Sequence, residues 1–357
     1  MHVVVDAVVV RTGSVTIVLE HLLQAWARRF PDDRISVLFG PDGPSFTLPP
    51  GADAITLSQP SGPLGGIWLR SMAVRRAVDK LDADAVLAAV PATGLAGFGR
   101  PRGTILYDLR FELRPDQFSR RTRIARRVSW GWTLRLSDRI FCISDRTLED
   151  LRTHHPRLAR HASTALLGSD HALGWRSADA ASTHEAPYAI AFGHYANKNV
   201  SAVLAGWASF CRTDEHWRLR LVGMSERDRA SAAEQVRALG IADRVDLMPW
   251  LDDSAFERCF ARAGLVLFPS DFEGFGLPAA EALRLGIPAV ISTDPALAEV
   301  TGGHAVTAAA NTPAALAEAI AAALALTPEE LRAGTEFAEA FTWERTADLI
   351  RSGLSTC

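Results

Sequence analysis

The sequence predicts an α/β chain built from two Rossmann-like, doubly wound domains facing a central cleft. Three observations lead there. Short β-branched runs alternate with longer segments of helical period throughout, the pattern of parallel sheets covered by helices on both faces. The 357 residues exceed the size at which one hydrophobic core usually stops growing, so two cores are expected. The segment at 174–187, rich in Ala, Ser and charge and without clear period, reads as the linker between them.

In the first domain, residues 1–173, the expected strands are His2 to Val10, Ile35 to Phe39, Ala85 to Val90, Thr104 to Leu109 and Arg139 to Ile143. Between the first two, Val15, Val18, Leu19, Leu22, Leu23, Trp26 and Phe30 recur at three- and four-residue steps, the apolar stripe of a helix facing a sheet. In the second domain, residues 188–340, strands are expected at Tyr188 to Phe192, Arg218 to Val222, Val245 to Met248, Leu265 to Phe268 and Ala289 to Ser292. Ser254 and Glu257 form a capping-box pattern for one intervening helix. A last helix, within 341–357, is expected to pack back toward the first domain. Folds of this kind bind ligands beyond the carboxyl ends of their strands.

Composition narrows the function. A formal net charge of -3 argues against bulk nucleic-acid binding. The four cysteines are scattered without a CxxC pair, which fits a reducing cytoplasm and gives no metal-ligand spacing. The opening run MHVVVDAVVV carries Asp6 and no basic leader, so it reads as a strand rather than a signal peptide. No stretch approaches the roughly 20 apolar residues that cross a bilayer.

The stretch FPSDFEGFGLPAAEALRLGIPAVIS, residues 268–292, raises a question of charge. A strand ends at Phe268 and a helix begins near Pro278, a residue suited to a first helical turn. Gly274 and Gly276 let the backbone of the loop, from Glu273 through Phe275 to Leu277, come close to a ligand. Free N–H groups at the helix start favour a phosphate. Yet Glu273 and Glu281 flank this anion site. Two carboxylates beside a diphosphate need other partners, and sugar and ribose hydroxyls are natural donors to them. This points to a nucleotide sugar, with Glu273 toward the transferred sugar and Glu281 on the ribose. The plainer reading is a loop charge and a solvated helix residue.

The order strand, F-P-S, E-G-F-G-L-P, E-A-L, G-I-P, strand resembles the E-x7-E pattern of the retaining glycosyltransferases of family 4, which have the GT-B fold. The likeness runs through LRLVGMSERDRASAAEQVRALGIADRVDLMPWLDDSAFERCFARAGLVLFPS and AFGHYANKN, and in the first domain through TGSVTIVLEHLLQAW and CISDRTLEDL. STDPALAEVTGGHA looks more like the bacterial polysaccharide mannosyl- and rhamnosyltransferase branch. The resemblance implies a metal-independent hexosyltransferase, without a cofactor, that moves sugar from a nucleoside diphosphate donor to a hydroxyl of a glycan, lipid-linked or small-molecule acceptor, with retention.

Against that pattern, Gly193 and Lys198 stand where the family binds the donor phosphates, and an ammonium there can neutralise a leaving diphosphate. The arginine that usually precedes the lysine is Asn197 here, a loss for which His194 or a distant arginine can compensate. The family's His-Asp pair is Tyr107 and Asp108. Tyrosine can hydrogen-bond a hydroxyl but holds no positive charge, while Asp108 is a candidate partner for the acceptor hydroxyl. Gly13 is either a place of close approach to ligand or a turn glycine. Pro249 and Trp250 can flank a nucleobase, or the indole can belong to the core. Asp82 and Asp84 read as loop or capping residues, not a metal-binding DxD.

From Ser119 to Arg139, Ile124, Val128, Trp132 and Leu136 recur every four residues among arginines. That segment is either a helix with a solvated basic face or a peripheral contact with the inner face of the cytoplasmic membrane. The replacements at 197 and 107 also leave open a second function, a catalytically weak GT-B subunit that binds nucleotide or a partner enzyme. Sugar epimerase chemistry on a similar fold fits the E-x7-E context less well.

Overall fold

The computed structural model describes residues 1–11, 13–62, 64–92, 96–175, 186–194 and 196–356. They form two compact units, Met1–Gly168 with Thr342–Cys357, and Ser169–Phe341.

The first unit holds a seven-stranded, all-parallel sheet: β1 (His2–Asp6), β2 (Arg34–Phe39), β3 (Asp53–Thr56), β4 (Ala85–Ala88), β5 (Arg102–Leu106), β6 (Arg139–Cys142) and β7 (Ala162–Thr164), in the order β3-β2-β1-β4-β5-β6-β7. Because the central strands are covered on both faces, β4 and β5 are buried along their whole length. Helix α1 (Ser14–Arg29) buries Val18, Leu19, Leu22, Leu23 and Trp26, most of the stripe expected from the spacing. Helix α2 (Arg120–Arg135) starts where the Ser119 side chain accepts the Thr122 backbone N–H. The C-terminal helix Trp343–Ser355 belongs to this unit, burying Trp343, Ala347, Ile350 and Leu354. Arg351 donates two hydrogen bonds to the buried Asp33 carboxylate, at 2.6 and 3.0 Å. Burial alone would raise that carboxyl, but the bonds from Arg351, the chain's amino group and Trp26 outweigh it and hold its pKa near 2.

The second unit holds a six-stranded parallel sheet: β8 (Tyr188–Phe192), β9 (Arg218–Val222), β10 (Val245–Leu247), β11 (Leu265–Phe268), β12 (Ala289–Ile291) and β13 (Val306–Thr307), ordered β10-β9-β8-β11-β12-β13. Its helices include α3 (Val200–Phe210), α4 (Asp253–Ala261), α5 (Leu277–Arg284) and α6 (Pro295–Thr301). Leu204, Trp207, Leu219, Leu221, Leu265 and Ile320 meet in one buried cluster. Each such side chain contributes roughly 1.5 to 3 kcal/mol by leaving water. The strand order reverses between β8 and β11, so the loops after these two strands diverge and open a crevice.

Several boundaries differ from expectation. β1 ends at Asp6, because Ala7 to Val10 form a turn closed by the Val10 N–H to the Ala7 carbonyl, even though Val8 and Val10 are buried. β5 begins at Arg102 and stops at Leu106, so Tyr107 and Asp108 lie just past its carboxyl end. The first unit ends at Gly168 rather than at 173: the turn Asp170–Trp175 packs on α4 and α5, and the Ser169 N–H bonds the Phe341 carbonyl. Most of the expected linker, 176–185, lies outside the described residues. Helix α4 is capped not by Ser254 with Glu257 but by Asp252, whose side chain accepts the Ala255 N–H. Asp252 stands just before the helix with the extended backbone that capping needs, whereas Ser254 is already inside the helix.

Candidate active site

The crevice of the second unit is built from the loops after β8 and β11. Gly193 leaves β8 with its N–H bonded to the Val222 carbonyl. A Cβ there would stand 2.5 Å from Met224 Cγ, so the tight packing admits only glycine. A short 3-10 turn, Ala196–Lys198, follows and is stitched to the opposite loop. The Asp271 N–H donates to the Asn197 carbonyl at 3.1 Å, Asn197 Nδ2 to the Phe272 carbonyl at 2.9 Å, and Asn199 Nδ2 to the Pro269 carbonyl at 2.9 Å. Asn199, in a left-handed conformation, then opens α3.

The charge centre lies across that seam. Lys198 Nζ donates to Glu273 Oε1 at 2.6 Å, and Asn197 Nδ2 donates to the same oxygen at 3.0 Å. The ammonium also sits 4.1 Å from the centre of the Phe268 ring. Lys198 is only 7% exposed, so both charges are held largely out of water, where an unpaired partner would be costly. An ammonium carries three donors, so one can stay on Glu273 while others turn to an anion. The Glu273 backbone N–H reaches Asp294 Oδ2 at 3.3 Å, and Oδ1 of the same carboxylate caps α6 through the Ala296 N–H.

Helix α5 starts at Gly276, which has φ +103°, and no side chain caps it. A Cβ at Gly276 would lie 2.4 Å from Leu297 Cδ2, so this left-handed corner needs glycine on both counts. With Pro278 in the first turn and no capping side chain, the helix start offers its N–H groups and dipole to an anion. Phe275 turns inward, 2% exposed and edge-on to Phe341 at 5.9 Å. Its ring is therefore core, a correction to its expected place beside the donor. Leu277 is also buried.

Glu281, one turn into α5, is 4% exposed, which removes the reading of it as a solvated helix residue. Its Oε1 is 3.1 Å from His171 Nε2. The two carboxylates thus each face a nitrogen, Lys198 Nζ for Glu273 and His171 Nε2 for Glu281. His194, past β8, is pushed down to about 4 by burial and then by Lys198, so it is a neutral imidazole near pH 7 and brings no positive charge in place of the missing arginine. Its ring lies 6.1 Å from that of Trp250. Trp250 is 66% exposed, which rules out the core reading, and Pro249 beside it is exposed as well.

In the first unit, Gly13 has φ +102° and its carbonyl accepts from Thr16, both as expected of a turn at a helix start. Asp108 Oδ1 accepts the Arg110 N–H at 2.8 Å. The Tyr107 hydroxyl is buried without a hydrogen-bond partner among the described residues, and burial pushes its pKa far up. It points into the protein. Asp82 closes the helix before β4 in a left-handed conformation, and Asp84 accepts the His2 N–H, as loop and capping residues. Among the described residues no group of His, Cys, Asp and Glu is arranged to hold a metal ion.

Three contributors were not singled out from sequence. Asp294 had a signal, since D-P-A-L is a cap followed by proline at a first turn. The Phe268 face under Lys198 and His171 under Glu281 had none. The latter pair is 110 positions apart.

Residues 178–339, which carry the parallel sheet, its switch point and the Lys198–Glu273 seam, match the family model described as glycosyl transferases group 1. Those residues are a glycosyl transferases group 1 domain. The chain is 34% identical over 166 residues to an MMP alpha-(1->4)-mannosyltransferase of Mycolicibacterium hassiacum, covering 44% of this chain and 40% of that protein. It is 38% identical over 98 residues to a GDP-mannose-dependent alpha-(1-6)-phosphatidylinositol dimannoside mannosyltransferase of Mycobacterium tuberculosis, covering 27% of this chain and 26% of that one. The matches thus span less than half the length of these relatives. In structure the whole chain is similar to a sucrose-phosphate synthase from Thermosynechococcus elongatus, with TM-score 0.78, 19% identity and full coverage of both chains. At that identity the likeness speaks for the GT-B fold alone.

Proposed function

We propose that the protein transfers a hexose, with retention of anomeric configuration, from a nucleoside diphosphate sugar such as GDP-mannose to a hydroxyl of a glycan, lipid-linked or small-molecule acceptor. The observation that carries the reading is the buried Lys198–Glu273 pair, set between the loops after β8 and β11 and next to an uncapped helix start. The two mannosyltransferase relatives support the choice of donor.

In this reading the diphosphate lies at the start of α5, with Gly193, Gly274 and Gly276 allowing close backbone approach. As the bond from the sugar's C1 to the β-phosphate oxygen breaks, the growing charge is met by Lys198. The acceptor oxygen bonds C1 on the same face, and its proton passes to the departing phosphate oxygen, so no separate base is needed. Glu273 offsets the positive charge that develops on the sugar. Glu281 accepts the ribose hydroxyls, and the exposed Trp250 with Pro249 flanks the base. Asp108 orients the acceptor hydroxyl. Asn197, 2% exposed and bonded to Phe272 and Glu273, acts by locking the seam rather than by touching the donor. No metal or cofactor is required. Incubation with a panel of nucleotide sugars and acceptors, read by mass spectrometry and by NMR of the anomeric proton, tests this. Nucleoside diphosphate release with an axial product from an axial donor is expected. Tight donor binding without turnover would overturn it in favour of a nucleotide-binding subunit, and an inverted product would overturn retention.

The acceptor side carries a second observation. On α2 the row Ile124, Val128 and Trp132 is exposed at 66%, 67% and 54%, with exposed Arg120, Arg121, Arg127 and Arg135 around it. No helix of the described residues is long and apolar enough to cross a membrane. A basic helix with apolar side chains turned outward instead suits the surface of an anionic bilayer, with the protein on its cytoplasmic face and a lipid-linked acceptor within reach. Each arginine contributes on the order of 1 kcal/mol near such lipids. Arg126, stacked on Phe118 and Trp130, is engaged within the unit and is not counted. Sedimentation with phosphatidylcholine vesicles containing phosphatidylglycerol should show binding that weakens with salt and falls when Arg120, Arg121 and Arg127 are changed to glutamine. A protein that stays in the supernatant at low salt favours a small soluble acceptor.

A further inference from the structure

We infer that His171 is a positioning residue for the donor nucleotide: it holds one oxygen of Glu281 so that the other meets the ribose hydroxyls. The inference rests on the reading above that Glu281 takes the ribose. Glu281 is buried on α5, and among the described residues its carboxylate has one hydrogen-bond partner, His171 Nε2 at 3.1 Å. The imidazole is itself sealed in, with 3% of its side chain exposed. A carboxylate in such surroundings needs a donor to fix its direction.

What fixes the donor is packing. His171 lies on the turn Asp170–Trp175, the first turn of the second unit. Trp175 stands edge-on to the imidazole at 5.3 Å and also packs on Phe256 at 5.9 Å and Phe260 at 5.2 Å, both on α4. The turn is thereby clamped on an aromatic floor, and the imidazole has little freedom to swing. Glu257, also on α4, interacts electrostatically with His171 and accepts a hydrogen bond from Trp175. Nε2 must carry a proton to donate to Glu281, which both the imidazolium and one neutral tautomer provide. With Oε1 occupied, Oε2 is the oxygen directed to a ligand, and a ribose with adjacent hydroxyls is the chemical group that matches a single fixed, ionised acceptor.

A ligand-deletion experiment separates this role from general support of the fold. GDP and UDP, each beside its 2′,3′-dideoxy form, are titrated by calorimetry into the wild-type chain, Glu281→Gln, His171→Phe and His171→Gln, with melting temperatures measured in parallel; the tighter nucleotide carries the comparison. Wild type should prefer the hydroxylated nucleotide by about tenfold, the worth of one hydrogen bond to a charged group. His171→Phe should lose most of that preference while binding the dideoxy form as wild type does, and His171→Gln, whose amide can still donate, should recover part of it. If His171→Phe keeps the full preference while Glu281→Gln loses it, the ribose reading of Glu281 stands and the positioning role is overturned. If His171→Phe weakens both forms equally, His171 only supports the fold and the inference is again overturned. Should the wild type bind both forms alike, Glu281 does not read the ribose, and the inference falls with it.

Discussion

Lys198→Ala is expected to lower turnover by about 100- to 1000-fold, the range seen when one preorganised partner of a developing charge is removed, while donor affinity falls by less than tenfold. The asymmetry follows from the ion pair. Lys198 spends one donor on Glu273 and rests on the Phe268 ring, so its charge is partly satisfied within the protein itself. A bound diphosphate shares its charge with the start of α5 as well, which dilutes the loss of one ammonium in the ground state. As the glycosidic bond breaks, charge concentrates on the leaving oxygen, and the dry ammonium then counts for most. Neutral His194 adds no cation to replace it. Lys198→Arg should recover little, because a planar guanidinium spreads its charge over a fork where the compact ammonium concentrates it on one atom 2.6 Å from Glu273. Steady-state rates beside calorimetric donor affinities decide the matter. A tenfold loss of affinity with turnover intact would make Lys198 a ground-state anchor only.

The sheets were readable where strands are central and apolar, as with Leu265–Phe268 and Tyr188–Phe192, since burial on both faces demands continuous hydrophobic runs. The edge strands β3, β7 and β13 were not: Asp53–Thr56 and Ala162–Thr164 are partly exposed and only three or four residues long, and Val306–Thr307 only two. For the site, residues adjacent in sequence to a strand end could be placed in the crevice. What each one touches could not. The inward turn of Phe275 onto Phe341 and the seam from Asn197 to Phe272 depend on side-chain packing between distant loops, and the letters around them are compatible with either direction. Both carboxylates, Glu273 and Glu281, are paired within the second unit, and His171 could not be found from one sequence because nothing local marks it.

Glu273→Gln is expected to lower turnover by about 100-fold or more while leaving donor affinity within a few-fold of wild type. Glutamine fills the same space and can still accept from Lys198 and Asn197, so the seam between the 196–198 turn and the 269–273 loop should persist, while the lost charge opposite the buried Lys198 should lower the melting temperature. What disappears is the negative charge, which the chemistry needs only when the sugar becomes cationic. The same geometry bears on how retention is achieved. Glu273 Oε1 accepts from both Lys198 and Asn197, and the backbone of Glu273 is tied to Asp294. Two donors on one oxygen draw off electron density and anchor the carboxylate, which suits an electrostatic partner better than a nucleophile that must advance on C1 and form a bond. Incubation with a 2-fluoro donor sugar, which slows breakdown of a covalent intermediate, should therefore leave the intact mass of the protein unchanged, and azide should not restore turnover to Glu273→Ala. A glycosyl adduct mapped to Glu273, or rescue by azide with inversion, would establish it as the nucleophile; wild-type turnover in Glu273→Gln would remove it from the chemistry altogether.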